Sequence, residues 1–274
     1  MVKKKRTRKD TLDVLILASA AIVLSTFLVI KLLAISGFNL RNFVKRSQNV
    51  ESDQKPYSLN IPIITYHYIE IVTDKNDFLR KNMAITPTEL KREINELKSQ
   101  GYEFVFIKEI PKLLHMETPP TGKFVAITFD DGYRDFYTDA FPVIKETGVK
   151  ATVFVITGFV NYQNYMTDEQ IKEVSQSGLV EVGAHTMSHI DLRSITSAHA
   201  DSEIVGSKDY LESKLGIKVE SFSYPFGGFN NEITQMVKNA SHTSAVSDIS
   251  GTTQSLSNLY SLSRIRVGYF FKFE

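Results

Sequence analysis

A chain of 274 residues with 32 Lys/Arg against 31 Asp/Glu is close to neutral and has room for one sizeable domain or two small ones. It has no cysteine, which excludes disulfide frameworks, thiolate nucleophiles and Cys-ligated zinc. Residues 1–13 hold six Lys/Arg and two Asp/Glu, so the rest carries 26 basic and 29 acidic residues and lacks the polycationic character that nucleic acid requires.

The chain opens on Lys3, Lys4, Lys5, Arg6, Arg8 and Lys9, followed by an uncharged run from Val14 to Ile30. Past Lys31 the apolar character continues as Leu32-Leu33-Ala34-Ile35. About 20 apolar residues cross a bilayer, and Lys31 can snorkel to the headgroups. The basic N-side predicts a cytoplasmic N-terminus and an external body, an asymmetry that Arg41, Lys45 and Arg46 weaken without reversing. The competing readings are a cleaved signal peptide and a buried core helix. Ala18-Ser19-Ala20 lies inside the apolar run rather than after it, which argues against cleavage, and nothing in the run is amphipathic. The expected organisation is a basic cytoplasmic tail over 1–13, a transmembrane anchor over 14–35, a juxtamembrane linker over 36–57 and a catalytic domain over 58–274.

From Leu59 onward, short apolar runs alternate with helical patterns. Ile61 to Tyr66 predicts a buried strand. Thr86-Pro87-Thr88-Glu89 is a capping box with Pro at the first helical position, and Leu90, Ile94 and Leu97 form the apolar stripe of the helix that Gly101 ends. The pattern then predicts strands over 104–106, 124–129, 151–156, 179–184, 219–224 and 260–267. Helices are expected over 139–147, from Thr167 to Gly178, over 198–215 and over 231–238. This alternation predicts an α/β fold with a parallel sheet, as a barrel or an open sheet. A barrel is favoured because His67, Asp130-Asp131, His185 and the Pro225 region each follow a strand, and the phosphate-binding glycine fingerprint is missing.

Asp130 and Asp131 end a buried apolar run, and their side chains must diverge, so one can bind a metal while the other faces a substrate. Gly132 permits the tight turn. His185 and His189 lie four residues apart, a spacing that can close around an ion, and two histidines with one carboxylate is a common catalytic zinc set. Thr186 and Ser188 are candidates for hydrogen bonds that orient the rings. His67 is the one remaining histidine at a strand end, and imidazole has the intrinsic pKa to protonate a departing amine. Ser223-Tyr224-Pro225-Phe226-Gly227-Gly228 follows another strand, where a main-chain N–H can face an oxyanion. The segment 68–83 is expected to border the groove. Each piece alone also fits an ordinary turn, loop or polar contact; the combination reads as a metal-dependent hydrolase.

Together these segments resemble the polysaccharide deacetylase family (carbohydrate esterase family four). Thr128-Phe129-Asp130-Asp131-Gly132, His185-Thr186-x-x-His189 and Tyr224-Pro225-Phe226-Gly227 are similar to its three motifs, and the resemblance covers about residues 58 to 267. It implies a distorted, incomplete (β/α) barrel that removes N-acetyl, sometimes O-acetyl, groups from cell-wall or exopolysaccharide sugars. It also implies that Asp130 is the base, that Asp131, His185 and His189 bind zinc or a similar ion, and that the Tyr224-Pro225-Phe226 turn lends the Phe226 N–H to the oxyanion. The chain departs from the family at two places. Ser223 stands where an arginine usually orients the base, and residues 262–267 lack the usual late histidine. Both departures resemble the poly-N-acetylglucosamine deacetylases, whose acid histidine sits in an early Tyr-His segment such as Tyr66-His67.

The expected protein is thus a membrane-anchored, external N-deacetylase of a GlcNAc-containing polysaccharide (poly-N-acetylglucosamine or peptidoglycan) that uses a divalent metal, expected to be Zn2+. Two alternatives stay open. One is an O-acetyl esterase; the other is an inactive glycan-binding module, which only the missing arginine supports. No protein partner is deducible.

Overall fold

In the computed structural model, which describes residues 57–74 and 76–266, seven strands line up side by side, six of them from the predicted runs. In chain order they are β1 (Ile63–Tyr66), β2 (Lys123–Phe129), β3 (Ala151–Val155), β4 (Val180–Ala184), β5 (Ser221–Ser223), β6 (Ser244–Ser250) and β7 (Leu262–Arg266). Each pairs in parallel with the next, and β7 returns to pair with β1, so the ring closes. A short strand, Tyr102–Phe104, pairs with the start of β2 beside the closure. Seven strands in place of the eight of a complete barrel match the incomplete barrel expected from the sequence.

The strands read as continuous apolar runs because both faces are covered, the inner one by the barrel interior and the outer one by helices. In β2 every residue from Phe124 to Phe129 is buried. Helix α1 (Pro87–Ser99) starts at the predicted capping box: the Thr86 hydroxyl accepts from Glu89 N–H, and the Glu89 carboxylate accepts from Thr86 N–H. Its stripe of Leu90, Ile94 and Leu97 is buried. Helices α2 (Phe141–Thr147), α3 (Asp168–Gln176), α4 (Ser197–Leu215) and α5 (Asn231–Asn239) follow β2, β3, β4 and β5. Thr167, Thr196 and Asn230 cap the last three through side-chain oxygens. The expected helix start at 139 is modified, since residues Phe136–Ala140 form a π-type turn ahead of α2.

The pattern did not predict β6. Ser244-Ala245-Val246-Ser247-Asp248-Ile249-Ser250 has too few apolar residues to stand out, yet its first four residues are buried. Its polar side chains are accommodated by the neighbouring strand: the Ser247 hydroxyl donates to the carbonyls of Ser261 and Leu262 at 3.3 Å each. Without this strand β5 and β7 would have no common neighbour. The segment 68–83 contains a short strand, Tyr68–Ile69, which pairs with Ala84–Ile85, and a helix, Phe78–Met83.

The predicted tail, the span over 14–35 and the linker up to residue 56 lie outside the described residues, as do residues 267–274. Among the described residues, no helix is long and apolar enough to cross a membrane.

Candidate active site

Strand register gathers the predicted residues at one mouth of the barrel. Tyr66 pairs with Phe129, so His67 and Asp130 leave their strands at the same level, and Asp130 N–H donates to the Tyr66 carbonyl at 3.0 Å. Val155 pairs with Ala184, and His185 N–H donates to Val155 at 3.1 Å. The chain then turns sharply through left-handed residues: Asp131 (φ 75°), Thr186 (φ 62°), His189 (φ 55°) and Phe226 (φ 57°). Such conformations cost about 1–3 kcal/mol each for non-glycine residues and persist where the surroundings over-determine them. Gly132 (φ 73°) continues the Asp131 turn, and a Cβ there would crowd Val155 at 3.3 Å.

Asp131 Oδ1 is buried and has no hydrogen-bond partner. It lies 3.4 Å from His185 Nε2 and 3.3 Å from His189 Nε2, and the three donor atoms fall within 4.8 Å of one another. His185 Nδ1 is 2.7 Å from the Ser223 carbonyl, a contact that requires N–H on Nδ1 and turns the Nε2 lone pair towards Asp131. Lone pairs and a carboxylate oxygen thus converge on one point, an arrangement that a cation relieves. Burial alone would depress the His185 pKa; the Asp131 and Asp130 carboxylates outweigh it and raise it. The same negative charge attracts a divalent ion, and the donor set fits one.

The expectation that Thr186 and Ser188 orient the rings is corrected. The Thr186 hydroxyl accepts from His189 N–H at 3.0 Å and so closes the turn. The Ser188 hydroxyl donates to Glu203 at 2.7 Å, and Met187 and Ser188 N–H donate to the same carboxylate at 2.8 and 2.9 Å. Glu203, buried on α4, therefore holds the turn between the two histidines. The sequence reading missed it because an acidic residue inside a helix looks like a solvated one.

Asp130 is directed elsewhere. Arg264 Nη1 and Nη2 donate to its Oδ1 and Oδ2 at 2.8 Å each, and the Ser223 hydroxyl sits 3.4 Å from Oδ2. Arg264 is 3% exposed, and its remaining donors reach the Ser247 carbonyl and Asp248 at 2.9 Å. Burial pushes the Asp130 carboxyl up, but the Arg264 guanidinium holds it well below the usual carboxylate range. The arginine absent at position 223 is thus supplied from β7. Its signal was present in the sequence: an arginine alternating with apolar residues in a strand requires a buried anion.

His67 is half-buried, and burial lowers its pKa against the opposing pull of Asp130 and Asp131. Tyr224 and Pro225 are buried; the Tyr224 hydroxyl donates to the Tyr260 carbonyl at 3.0 Å. Of that predicted trio only Phe226 is exposed, with its ring centroid 4.6 Å from that of His189. Gly227 allows this turn, since a Cβ there would lie 2.6 Å from the Asp248 Cβ.

The family model described as Polysaccharide deacetylase matches residues 117–245, which hold both aspartates, both turn histidines and Phe226. The Bacillus subtilis (strain 168) protein YxkH, named provisionally as a polysaccharide deacetylase, is 31% identical over 214 residues, 78% of this chain and 73% of its own length. The chain belongs to the polysaccharide deacetylase family. It is a hydrolase acting on carbon–nitrogen bonds other than peptide bonds. The poly-beta-1,6-N-acetyl-D-glucosamine N-deacetylase of Staphylococcus epidermidis is 29% identical over 217 residues, covering 70% of this chain and 74% of its own. Among solved structures, the Streptococcus pyogenes deacetylase PplD in complex with acetate matches with a TM-score of 0.72 at 31% identity, over 78% of this chain and 94% of that one. IcaB from Ammonifex degensii shares the fold, with a TM-score of 0.67 at 24% identity, over 76% of this chain and 91% of that one. The family is metal-dependent, and Asp131, His185 and His189 form the group that fits an ion.

Proposed function

We propose that this deacetylase removes N-acetyl groups from a GlcNAc-containing polysaccharide, with poly-N-acetylglucosamine the preferred polymer and peptidoglycan the second. The observation that carries the reading is the division between adjacent carboxylates. Asp131 presents an unbonded oxygen to two imidazoles, whereas Asp130 is held anionic by Arg264. The early Tyr66-His67 segment and the name of the S. epidermidis relative support the choice of polymer.

Asp131, His185 and His189 would hold the ion, for which zinc suits the donor set. When bound, it would polarise the acetyl carbonyl and acidify water. Asp130 accepts the proton of the attacking water on Oδ1, which keeps a second lone pair beside its Arg264 bond, whereas Oδ2 accepts from both Arg264 and the Ser223 hydroxyl. The Phe226 N–H steadies the developing oxyanion. His67 rests neutral, so it takes up a proton before the C–N bond breaks and passes it to the departing amine. The proton that Asp130 takes from water balances the one that His67 gives to the amine. The products are acetate and a free amine, which makes the polymer cationic.

The catalytic unit is placed outside the cell on a single anchor over 14–35, a reading supported by the basic N-flank and the length of the apolar run. The lack of native cysteine permits a clean test: single cysteines introduced on either side of the span should be labelled from outside only on the C-terminal side. For the activity, the purified protein is incubated with poly-β-1,6-GlcNAc and peptidoglycan in parallel, and acetate is measured. Release that a chelator or Asp130→Asn abolishes supports the reading; a metal-loaded protein releasing none from either glycan refutes it.

A further inference from the structure

Five aromatic rings run outward from this site. Tyr68 follows His67, Tyr133 follows the Asp130-Asp131-Gly132 turn, and Phe159, Tyr162 and Tyr165 belong to the loop between β3 and α3. Successive centroids are close: Tyr68 to Tyr133 4.3 Å, Tyr133 to Tyr165 5.0 Å, Tyr165 to Phe159 5.1 Å and Phe159 to Tyr162 6.0 Å. Exposure rises along the row, from 7% at Tyr68 through three half-buried rings to 61% at Tyr162. The inner end adjoins the reacting groups along the chain, since Tyr68 is next to His67 and Tyr133 is two residues after Asp131.

The loop is tied to the turn that presents the two aspartates. Arg134 N–H donates to the Asn164 carbonyl at 2.9 Å, and its guanidinium donates to the Tyr165 and Tyr162 carbonyls at 3.2 Å each. Met166 N–H donates to the Gly132 carbonyl at 3.0 Å, and Tyr133 and Tyr165 form an antiparallel bridge. These bonds leave the outermost ring, Tyr162, facing water, where an aromatic forgoes the burial that would stabilise it. Phe226, 64% exposed, packs on His189. The aromatic row thus begins beside His67 and the Asp130-Asp131-Gly132 turn, and Phe226 lies against His189.

We infer that the Tyr133–Tyr165–Phe159–Tyr162 row is a glycan subsite that holds the pyranose rings adjoining the acetylated sugar. The inference rests on the reading under Proposed function and extends it from the reacting residue to the polymer. A pyranose presents C–H groups and an edge of hydroxyls; the row offers the apolar ring edges of its stacked members, the exposed Tyr162 ring and the hydroxyls of its three tyrosines. Short acetylated compounds reach the reacting groups without touching the outer rings, whereas longer oligomers gain contacts with each added unit.

The test compares the full-length enzyme with Tyr162→Ala and Tyr162→Phe on β-1,6-GlcNAc oligomers of one to five units and on 4-nitrophenyl acetate. In the unaltered enzyme kcat/KM rises with oligomer length. Tyr162→Ala lowers the ratio of pentamer to ester kcat/KM by about tenfold, chiefly through KM, and Tyr162→Phe restores most of it. An unchanged ratio, or equal losses on pentamer and ester, overturns the subsite. Should the enzyme hydrolyse the ester but no oligomer, the substrate reading fails, and calorimetric titration with the pentamer decides the subsite separately. Binding weakened by Tyr162→Ala then sustains the subsite; equal affinity or no binding removes it.

Discussion

Arg264 grips Asp130 through two parallel hydrogen bonds of 2.8 Å, joining the last strand of the barrel to the end of the second. The pair is buried on both sides, with side-chain exposures of 2% and 5%. It fixes the plane of the base and supplies the charge that keeps it ionised. It also removes the one argument for an inactive glycan-binding module, since the arginine absent at 223 is present from another direction.

Removing one member of such a pair leaves the other charged and buried. Arg264→Ala should lower stability by about 3–5 kcal/mol and kcat by about 100-fold. The double variant Arg264→Ala/Asp130→Asn, although inactive, should be more stable than Arg264→Ala because no charge is stranded. Urea titrations of the three proteins check this; a double variant no more stable than the single would contradict the ion-pair account.

Position 223 offers an independent check. The Ser223 hydroxyl already lies 3.4 Å from Asp130, so an arginine there can reach the carboxylate when Arg264 is gone. Ser223→Arg should recover part of the activity of Arg264→Ala. In the presence of Arg264 it should instead destabilise, since two guanidinium groups would share one anion. Recovery is read as kcat on acetylated oligomers; none at all would mean that the direction of the fork matters more than its charge.

Glu203 touches neither histidine ring but satisfies two N–H groups and one hydroxyl in the turn between them. Glu203→Ala should reduce zinc affinity about 10- to 100-fold, the range seen when groups behind metal ligands are removed. Competition against a chromophoric chelator measures it. Unchanged affinity with a lowered melting temperature would restrict Glu203 to a structural part.

His242 is 2% exposed, and its ring nitrogens have no hydrogen-bond partner. Burial, followed by the Lys208 charge, pushes its pKa down to about 3, against a weaker opposing contribution from the Glu220 backbone. An unfolded histidine titrates near 6.5. Between those values the unfolded chain binds a proton that the native state refuses, so stability falls as pH drops through the window, by up to about 1.4 kcal/mol per unit. Asp135 acts in the opposite sense: burial raises it to about 7, so the native state holds a proton down to the unfolded value near 3.9, and stability rises as pH falls. The two slopes overlap, so the quantity to measure is the difference between the unaltered protein and His242→Phe. The unaltered protein should lose stability relative to the variant from pH 6.5 to 4; parallel curves would rule the titration out.

Local features of this chain are legible without a structure because the forces behind them act over a few residues. Thr86, Pro87 and Glu89 specify a helix start whose hydrogen bonds close within one turn. Branched and aromatic runs such as Phe124 to Phe129 specify buried strands, and Asp130-Asp131 and His185-x-x-x-His189 carry their chemistry in their spacing. What only the tertiary structure decided are contacts made by ring closure. Arg264 reaches Asp130 across 134 positions, and the Ser223 carbonyl orients His185 across 38. Strand β6 is held by neighbours rather than by its own composition. No periodicity or propensity encodes such pairings, because a buried ion pair is stable only once the barrel has excluded water from both partners.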